Sequence, residues 1–538
     1  MTDLSAARPP PASAFLPKIV TVLREGYHLP DLRADALAGL TVAIVALPLA
    51  MAIAIASGVG PERGLFTAIV GGFLVSLLGG SRYQIGGPAG AFIVLVSACV
   101  TNIGVPGLLL ATLLSGIFLT AAGVLKLGSY VKYIPYPVTL GFTAGIAVII
   151  FASQIKDLFG LHLTTEPAAF LPKIAALWAA HATFGPPAAI VALATITMIT
   201  GIKHVAPRLP NLLIAVTAAS LAVALFHLPV ETIHDRFGDL PRRPPAPSLP
   251  ALNLPVLIAA LPYALSFTLL GAIESLLSAV VADGMSGARH RSNAELVAQG
   301  LANVGAALFG GFCVTGTIAR TATNVRAGSR GPVSGMLHAV FLLAFLLVAA
   351  PLAGRIPLAA LAGVLAVVAW NMAEKAEIWA IASTSRADAV VIVTTFALVV
   401  FRDLTEGIVA GFALSGLVFV HRMSQSAAIE TADLTPRPDR VVVRLTGPYF
   451  FGAAAQTSAA LDLIADHPRH FVLDLAALDY LDSSGARALR LLAHRIHRKG
   501  GQMVLLAVRP DQRRILEKAG LHPPYARYIA TLEALDLP

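Results

Sequence analysis

The chain has 538 residues, 56% of them hydrophobic and only 13% charged, with a mean hydropathy of +0.76. A soluble protein of this size needs far more charge to cover its surface, so an ordinary water-soluble enzyme or binding module is excluded. The net charge of +9 does not point to nucleic acid as a partner, because Lys and Arg gather in the cytosolic loops of any polytopic membrane protein.

Residues 1–30 open on "MTDLSAARPPPASAFLPKIV". They lack the basic-then-apolar layout of a cleavable signal peptide and read as a Pro-rich cytosolic lead-in. Apolar stretches of about twenty residues, the length that crosses a bilayer core, then recur. The predicted spans are 36–56, 65–79, 88–101, 106–127, 136–153, 184–203, 210–228, 257–282, 292–310, 316–328, 331–352, 357–371, 388–403 and 405–423. Those opening at Pro88 and Gly316 are too short to cross fully. Alternate connections hold the positive charge: Arg82, then Lys126 and Lys132, then Lys203 and Arg208, then Arg289 and Arg291, then Arg330. The connection at 229–255 instead mixes Glu231, Asp235 and Asp239 with Arg236, Arg242 and Arg243. The positive-inside rule therefore puts both ends of the membrane region, 31–423, in the cytosol. Cys99 and Cys313 lie in or beside apolar segments; two such residues make neither a disulfide framework nor a metal cluster.

After His421 the texture changes. "RVVVRLTG", "HFVLDLAAL" and "MVLLAV" are strand candidates, "SGARALRLLAHRIHRK" has helical spacing with a basic outer face, and "RPDQRRILEKAGL" is a helix opened by Pro and closed by Gly. Strands alternating with helices predict a small soluble α/β domain over 424–538.

Within the membrane region the chain echoes itself. "LAGLTVAIVALPLAMAIAIASG" leads to "LFTAIVGGFLVSLLGG" and then "SRYQIGGPAGAFIVL"; later, "LSFTLLGAIESLLSAVVADG" leads to "ELVAQGLANVGAALFGG" and then "FCVTGTIARTATNV". Each half offers a long span, a Gly-rich span ending in a glycine pair, a short extended link and a half-length helix. This is the pattern of an inverted-repeat transporter, in which broken helices meet at mid-membrane. The half-helices are expected to begin near Pro88 and Thr317. Gly86, Gly87 and Gly316 allow close backbone approach, and Pro88 suits a first helical turn.

Two facing helix N-termini present free N–H groups and positive dipole ends to one point, which attracts an anion. Arg320 adds a full charge to that pocket. Its other roles would be snorkelling to headgroups or pairing with Glu274. An ionisable residue inside the membrane is costly and marks a functional site. Glu274, alone in "LLGAIESLLSA", is costly to ionise there, so it is either the carrier of a transported proton or a fixed counter-ion to Arg320. Gln299 and Asn303, one turn apart, are read as hydrogen-bonding ties between helices. No Walker phosphate loop, His-Glu-x-x-His or other catalytic constellation occurs, so neither catalysis nor a cofactor is expected.

At these residues the chain resembles the SulP (sulfate permease) family of anion transporters, which includes pendrin and prestin. "DLRADALAGLTVAIVALPLAMAIAIASGVGPERGLF" is similar to the family's first span, and "YIPYPVTLGFTAGIAV", "GAIESLLSAVVADGM" and "TGTIARTATNVRAGSRGPVSG" are similar to further family motifs. "FVLDLAALDYLDSSGARAL" resembles a STAS domain. The resemblance implies an α-helical polytopic protein of fourteen segments in two inverted sets of seven. These divide into a moving core and a scaffold that forms a homodimer contact, followed by a cytosolic STAS domain. It places the anion between the half-helices, at Pro88, Ala89, Gly90 and Ala91 on one side and Thr317, Ile318, Ala319, Arg320 and Thr321 on the other. It also implies secondary-active, elevator-like transport across the inner (plasma) membrane.

Sulfate or a similar small anion, a C4-dicarboxylate such as fumarate or succinate, and bicarbonate all suit the motifs, and an uncoupled channel or exchanger is the competing class. Two departures bear on the choice. Many members have Gln directly after the first-span proline, where this chain has Leu49, and sodium-coupled bicarbonate members carry a second carboxylate where this chain has Ser278. The second departure leans the coupling towards protons. In stand-alone STAS proteins the second Ser of the Asp-Ser-Ser-Gly turn is phosphorylated, which corresponds to Ser484; the plainer reading is a helix start capped by Asp482. The related nucleobase-transporter family shares the fold, but the STAS-like tail and Arg320 argue against it.

Overall fold

Every predicted span coincides with a helix, and several helices, Leu254–Ser286 and Leu404–Gln425 at both ends, run beyond the predicted limits. In the computed structural model the described residues are all but 1–14, 134, 164–165, 168, 208, 251–252, 403, 432–439, 455–469 and 533–538. The Pro-rich opening, Arg208 and the side chain of Lys132 therefore lie outside what is described. The predicted 36–56 lies within Leu29–Ala56, 136–153 within Tyr136–Leu158 and 257–282 within Leu254–Ser286. Hydropathy marks the lipid-length centre of a helix, whereas the backbone stays helical through the polar turns because that conformation satisfies its own N–H and C=O groups. Among the described residues, nine helices are long and apolar enough to cross a membrane.

The predicted 88–101 and 106–127 run together as Gly90–Val124. Gly104 interrupts this stretch with φ 68° and ψ −179°, a conformation open to glycine alone, and Pro106 follows it. Counted this way, the described residues hold fourteen membrane segments, the third and tenth entered from short extended links. One expectation shifts: the first half-helix does not begin at Pro88. Ala89 is extended (φ −114°, ψ 146°) and the first turn starts at Gly90, so Pro88 belongs to the link. The second half-helix, Ile318–Arg326, begins as expected, with Thr317 as its flanking residue. The lead-in also holds a helix, Lys18–Gly26. It is docked by Arg291, whose Nη1 donates to the Leu16 carbonyl at 2.8 Å and the Thr21 hydroxyl at 2.9 Å.

The membrane helices pack in two groups. Leu29–Ala56, Pro61–Leu78, Gly90–Val124, Leu254–Ser286, Ser292–Leu308, Ile318–Arg326 and Val333–Ala353 pack mainly on one another. Tyr136–Leu158, Pro186–Val205, Asn211–Phe226, Leu358–Met372 and Arg386–Phe401 form the second group. Leu404–Gln425 joins them by laying Gly407 on Val399 and Gly411 on Thr395 and Val138.

The chain forms two compact units, 1–411 and 412–538, with the boundary inside the helix Leu404–Gln425. The second unit carries β3 (Ala428–Thr431), β4 (Arg440–Tyr449), β5 (His470–Asp474), β6 (Leu478–Leu481), β7 (Gln502–Leu506) and β8 (Ala526–Ile529). Their order is β3-β4-β5-β7-β8, with β6 on β4; β3 is antiparallel and the other pairs are parallel. Alternation puts Val443, Phe471 and Met503 on one face and Val442, Val472 and Val504 on the other. The predicted single strand at "HFVLDLAAL" is in fact β5 and the turn before β6.

Candidate functional site at the meeting of two half-helices

The two extended links are joined directly. β1 (Gly86–Gly87) pairs antiparallel with β2 (Thr315–Gly316), placing Gly86 opposite Gly316 and Gly87 opposite Thr315. Thr317 extends the contact: its N–H and its hydroxyl both donate to the Ile85 carbonyl, at 3.0 and 3.2 Å. Because the pairing is antiparallel, the chain leaves this ribbon in opposite directions into the turns at Gly90 and Ile318. Each turn leaves its first N–H groups without helical acceptors and its positive dipole end beside the ribbon.

Arg320, in the first turn of Ile318–Arg326, is only 2% exposed. Its Nη2 donates to the Pro88 carbonyl at 3.3 Å. Nε and Nη1 have no partner among the described residues. The guanidinium lies directly over Gly87, where any side-chain carbon would collide with Nη1. A guanidinium carries five donors in a planar fork, and leaving them unsatisfied in a buried place is expensive. The arrangement is therefore matched to a compact acceptor bearing negative charge.

Around it, Pro88, Ala89, Ala91, Thr317 and Thr321 are buried, Gly90 and Ile318 are half-buried and Ala319 is exposed. The space above Gly90 is closed by Ile150 and Met372, both from the second helix group. Thr321 serves the framework, since its Oγ1 accepts from the Ile85 N–H and from Ser278, each at 3.1 Å.

Glu274 lies on the neighbouring helix Leu254–Ser286. Gly271, Glu274 and Ser278 fall on one helical face by their spacing. Gly271 accepts from the Thr315 hydroxyl at 3.3 Å and Ser278 donates to Thr321, so this face meets the second link and half-helix. Glu274 is half-buried and makes no hydrogen bond or ion pair among the described residues. In particular, no ion pair joins it to Arg320.

The helix Ser292–Leu308 pins both links. The Asn303 side chain donates to the Val314 carbonyl at 2.9 Å and accepts from its N–H at 3.0 Å, which is the tying role expected of it. Gln299 donates to Glu295 at 3.0 Å. Glu295, which sequence reasoning missed, is fully buried and also accepts from the Ser81 N–H and the Gln84 side chain, both at 2.9 Å. It looks in sequence like an ordinary first-turn acid at a helix start. Asp35 was missed as well; it is fully buried and accepts from Tyr27 at 2.7 Å and the Gly331 N–H at 3.1 Å. So was His338, buried with both ring nitrogens unpartnered among the described residues. A single His in an apolar run sends no local signal. In the second unit, Asp482 caps the helix Ser483–Arg498 by accepting from the Gly485 N–H at 2.6 Å, and Ser484 is exposed on its first turn. Cys99 and Cys313 are buried and free, and no cluster of His, Cys, Asp or Glu fit for a metal occurs among the described residues.

Residues 32–395 match the Sulfate permease family and residues 431–532 match the STAS domain. A putative sulfate transporter of Bacillus subtilis, YvdB, is 39% identical over 505 residues, covering 92% of this chain and 95% of its own. The bicarbonate transporter BicA of Picosynechococcus is 29% identical, covering 94% and 95%. Among solved structures, the murine Solute Carrier 26 family member A9 anion transporter in its inward-facing state has a TM-score of 0.85 at 17% identity, covering 99% of this chain and 95% of that one, a likeness of fold. The transmembrane domain of a cyanobacterial BicA has a TM-score of 0.61 at 30% identity, covering 72% and 98%. With the two links paired, the half-helices meeting and a STAS domain following the membrane region in the chain, this protein belongs to the sulfate permease family of anion transporters.

Proposed function

We propose that this protein is a secondary-active, proton-coupled importer of sulfate or a similar small anion, working as a homodimer in the inner membrane with its STAS domain in the cytosol. The observation that carries the reading is Arg320: a buried guanidinium with Nε and Nη1 unpartnered among the described residues, at the meeting of two helix starts. The anion sits between Pro88–Ala91 and Thr317–Thr321, held by the free N–H groups of both turns and by the guanidinium. Glu274, on the helix face that meets the second half-helix, carries the proton. The first helix group, which bears every one of these residues, moves as an elevator against the second. The similarity to putative sulfate transporters supports sulfate, and the similarity to bicarbonate transporters makes bicarbonate the second reading.

Uptake by the purified protein in proteoliposomes, offered labelled sulfate, bicarbonate, fumarate and succinate under an inward proton gradient, tests this. Accumulation of sulfate that a proton uncoupler abolishes is expected. Anion flow that never exceeds equilibrium would overturn secondary-active coupling in favour of a channel.

A further inference from the structure

A cavity of about 380 Å³ lies away from the half-helices. Its walls come from three helices: Leu47 and Pro48 from Leu29–Ala56, Val216 and Leu221 from Asn211–Phe226, and Phe345 and Ala349 from Val333–Ala353. The first and third of these helices belong to the first packing group and the second to the other, so the cavity is a cleft in the seam between the groups. Its lining is almost wholly apolar, as befits hydrocarbon. One charged residue stands in the wall, Arg355. Arg355 is exposed and its side chain makes no hydrogen bond or ion pair among the described residues.

Arg355 lies in the short turn between the apolar helices Val333–Ala353 and Leu358–Met372. That turn is tied to the polar connection at 229–253: Ile233 N–H donates to the Ile356 carbonyl at 3.0 Å, and Leu358 N–H donates to the Glu231 carbonyl at 2.9 Å. The arginine is therefore at the level where a spanning helix gives way to a polar loop, which is the level of lipid headgroups. An apolar cleft within the bilayer, ending at a free cation in the headgroup zone, is complementary to an amphiphile with the reverse layout.

We propose that this cleft binds an anionic phospholipid, with one acyl chain between Pro48, Val216 and Ala349 and the phosphate on Arg355. The bidentate fork of arginine suits a phosphate better than any other surface group does, and an interfacial arginine gains from an anionic headgroup. The kink-prone Pro48 gives the cleft its inner wall: a proline inside a helix removes a backbone hydrogen bond and opens the helix locally. Because the walls belong to different helix groups, the bound chain acts as a wedge whose fit depends on how those groups stand to each other. Lipid composition then sets the rate at which the groups change places.

The test uses the full chain released from detergent into native mass spectrometry after incubation with phosphatidylglycerol or phosphatidylcholine. Wild type should retain one phosphatidylglycerol per chain and several-fold less phosphatidylcholine. Arg355→Gln should lose that preference, and Ala349→Trp, which fills the cleft, should lose retention of both lipids. Anion exchange in vesicles containing phosphatidylglycerol should be several-fold faster than in pure phosphatidylcholine for wild type, and equal in both for Arg355→Gln. Retention that neither substitution alters would overturn the proposal. So would a chain crosslinked through Leu221→Cys, at an exposed position of the wall, to a second copy, which would make the cleft a protein interface. Retention is read without any transported anion, so its failure is distinct from failure of the transport reading.

Discussion

The link at 84–89 runs Gln-Ile-Gly-Gly-Pro-Ala, and the link at 313–318 runs Cys-Val-Thr-Gly-Thr-Ile. Both are extended, both end in a helical turn, and they pair strand to strand. Their chemistry differs. The first contributes backbone and emptiness: the Pro88 carbonyl accepts from Arg320, and bare Gly87 lets the guanidinium lie against it. The second contributes side chains, with Thr317 bound to the first link and Arg320 filling the space it leaves. A repeated backbone plan thus carries an unrepeated charge. Two guanidiniums facing each other would repel, whereas one charge framed by two dipole ends suits a single negatively charged acceptor.

The strongest way to break this contrast is to remove the charge. In Arg320→Ala, anion affinity should fall on the order of 100-fold, the equivalent of about 3 kcal/mol for deleting a buried charged hydrogen-bonding group. Binding of labelled anion to a variant that elutes as folded protein measures it, and near-normal affinity would end the assignment. If Glu274 carries the proton as proposed, Glu274→Gln should abolish gradient-driven accumulation while anion exchange persists. Uptake after a pH jump, run beside equilibrium exchange on the same protein, separates the two. A Glu274→Gln variant that still concentrates its anion would show that the proton travels elsewhere.

A subtler change tests the silent side. Gly87→Ala puts a methyl where Nη1 lies, so the guanidinium must shift and affinity should drop about tenfold. An unchanged affinity would mean that the first link is a spacer without influence on the site. Asn303→Ala should cost about 2 kcal/mol of stability by leaving the Val314 N–H and C=O buried without partners. A thermal midpoint indistinguishable from wild type would refute the pinning role. The smallest effect belongs to the second unit, where Asp482→Ala removes a helix cap worth about 1 kcal/mol. Hydrogen exchange should quicken in 483–486 only, with transport untouched.

The half-helix of Arg320 was legible because an arginine after a glycine pair has no ordinary place in an apolar chain. The strands β5 and β7 were legible from their β-branched and leucine runs. Glu295 and Gln84 were not, for they meet across 211 positions and each looks unexceptional beside its own neighbours. His338 shows the same limit, because burial of one imidazole depends on three-dimensional packing that a run of apolar letters does not encode. Pro88 misled for a local reason: proline suits a first helical turn and an extended link equally well, and the pairing of β1 with β2 selected the second.

Hydropathy, glycine spacing and the placement of two charges by themselves determined that this chain spans a membrane in two related halves and ends in an α/β domain. Those signals are local, written every few residues by the demand that a backbone in lipid satisfy itself. Only the tertiary structure decided which groups meet. Arg320 finds the Pro88 carbonyl 232 positions away, Thr321 finds the Ile85 N–H 236 positions away, and Glu274 finds no partner at all among the described residues. Such pairings depend on how whole helices pack, and that packing alone leaves two guanidinium nitrogens open where the half-helices meet.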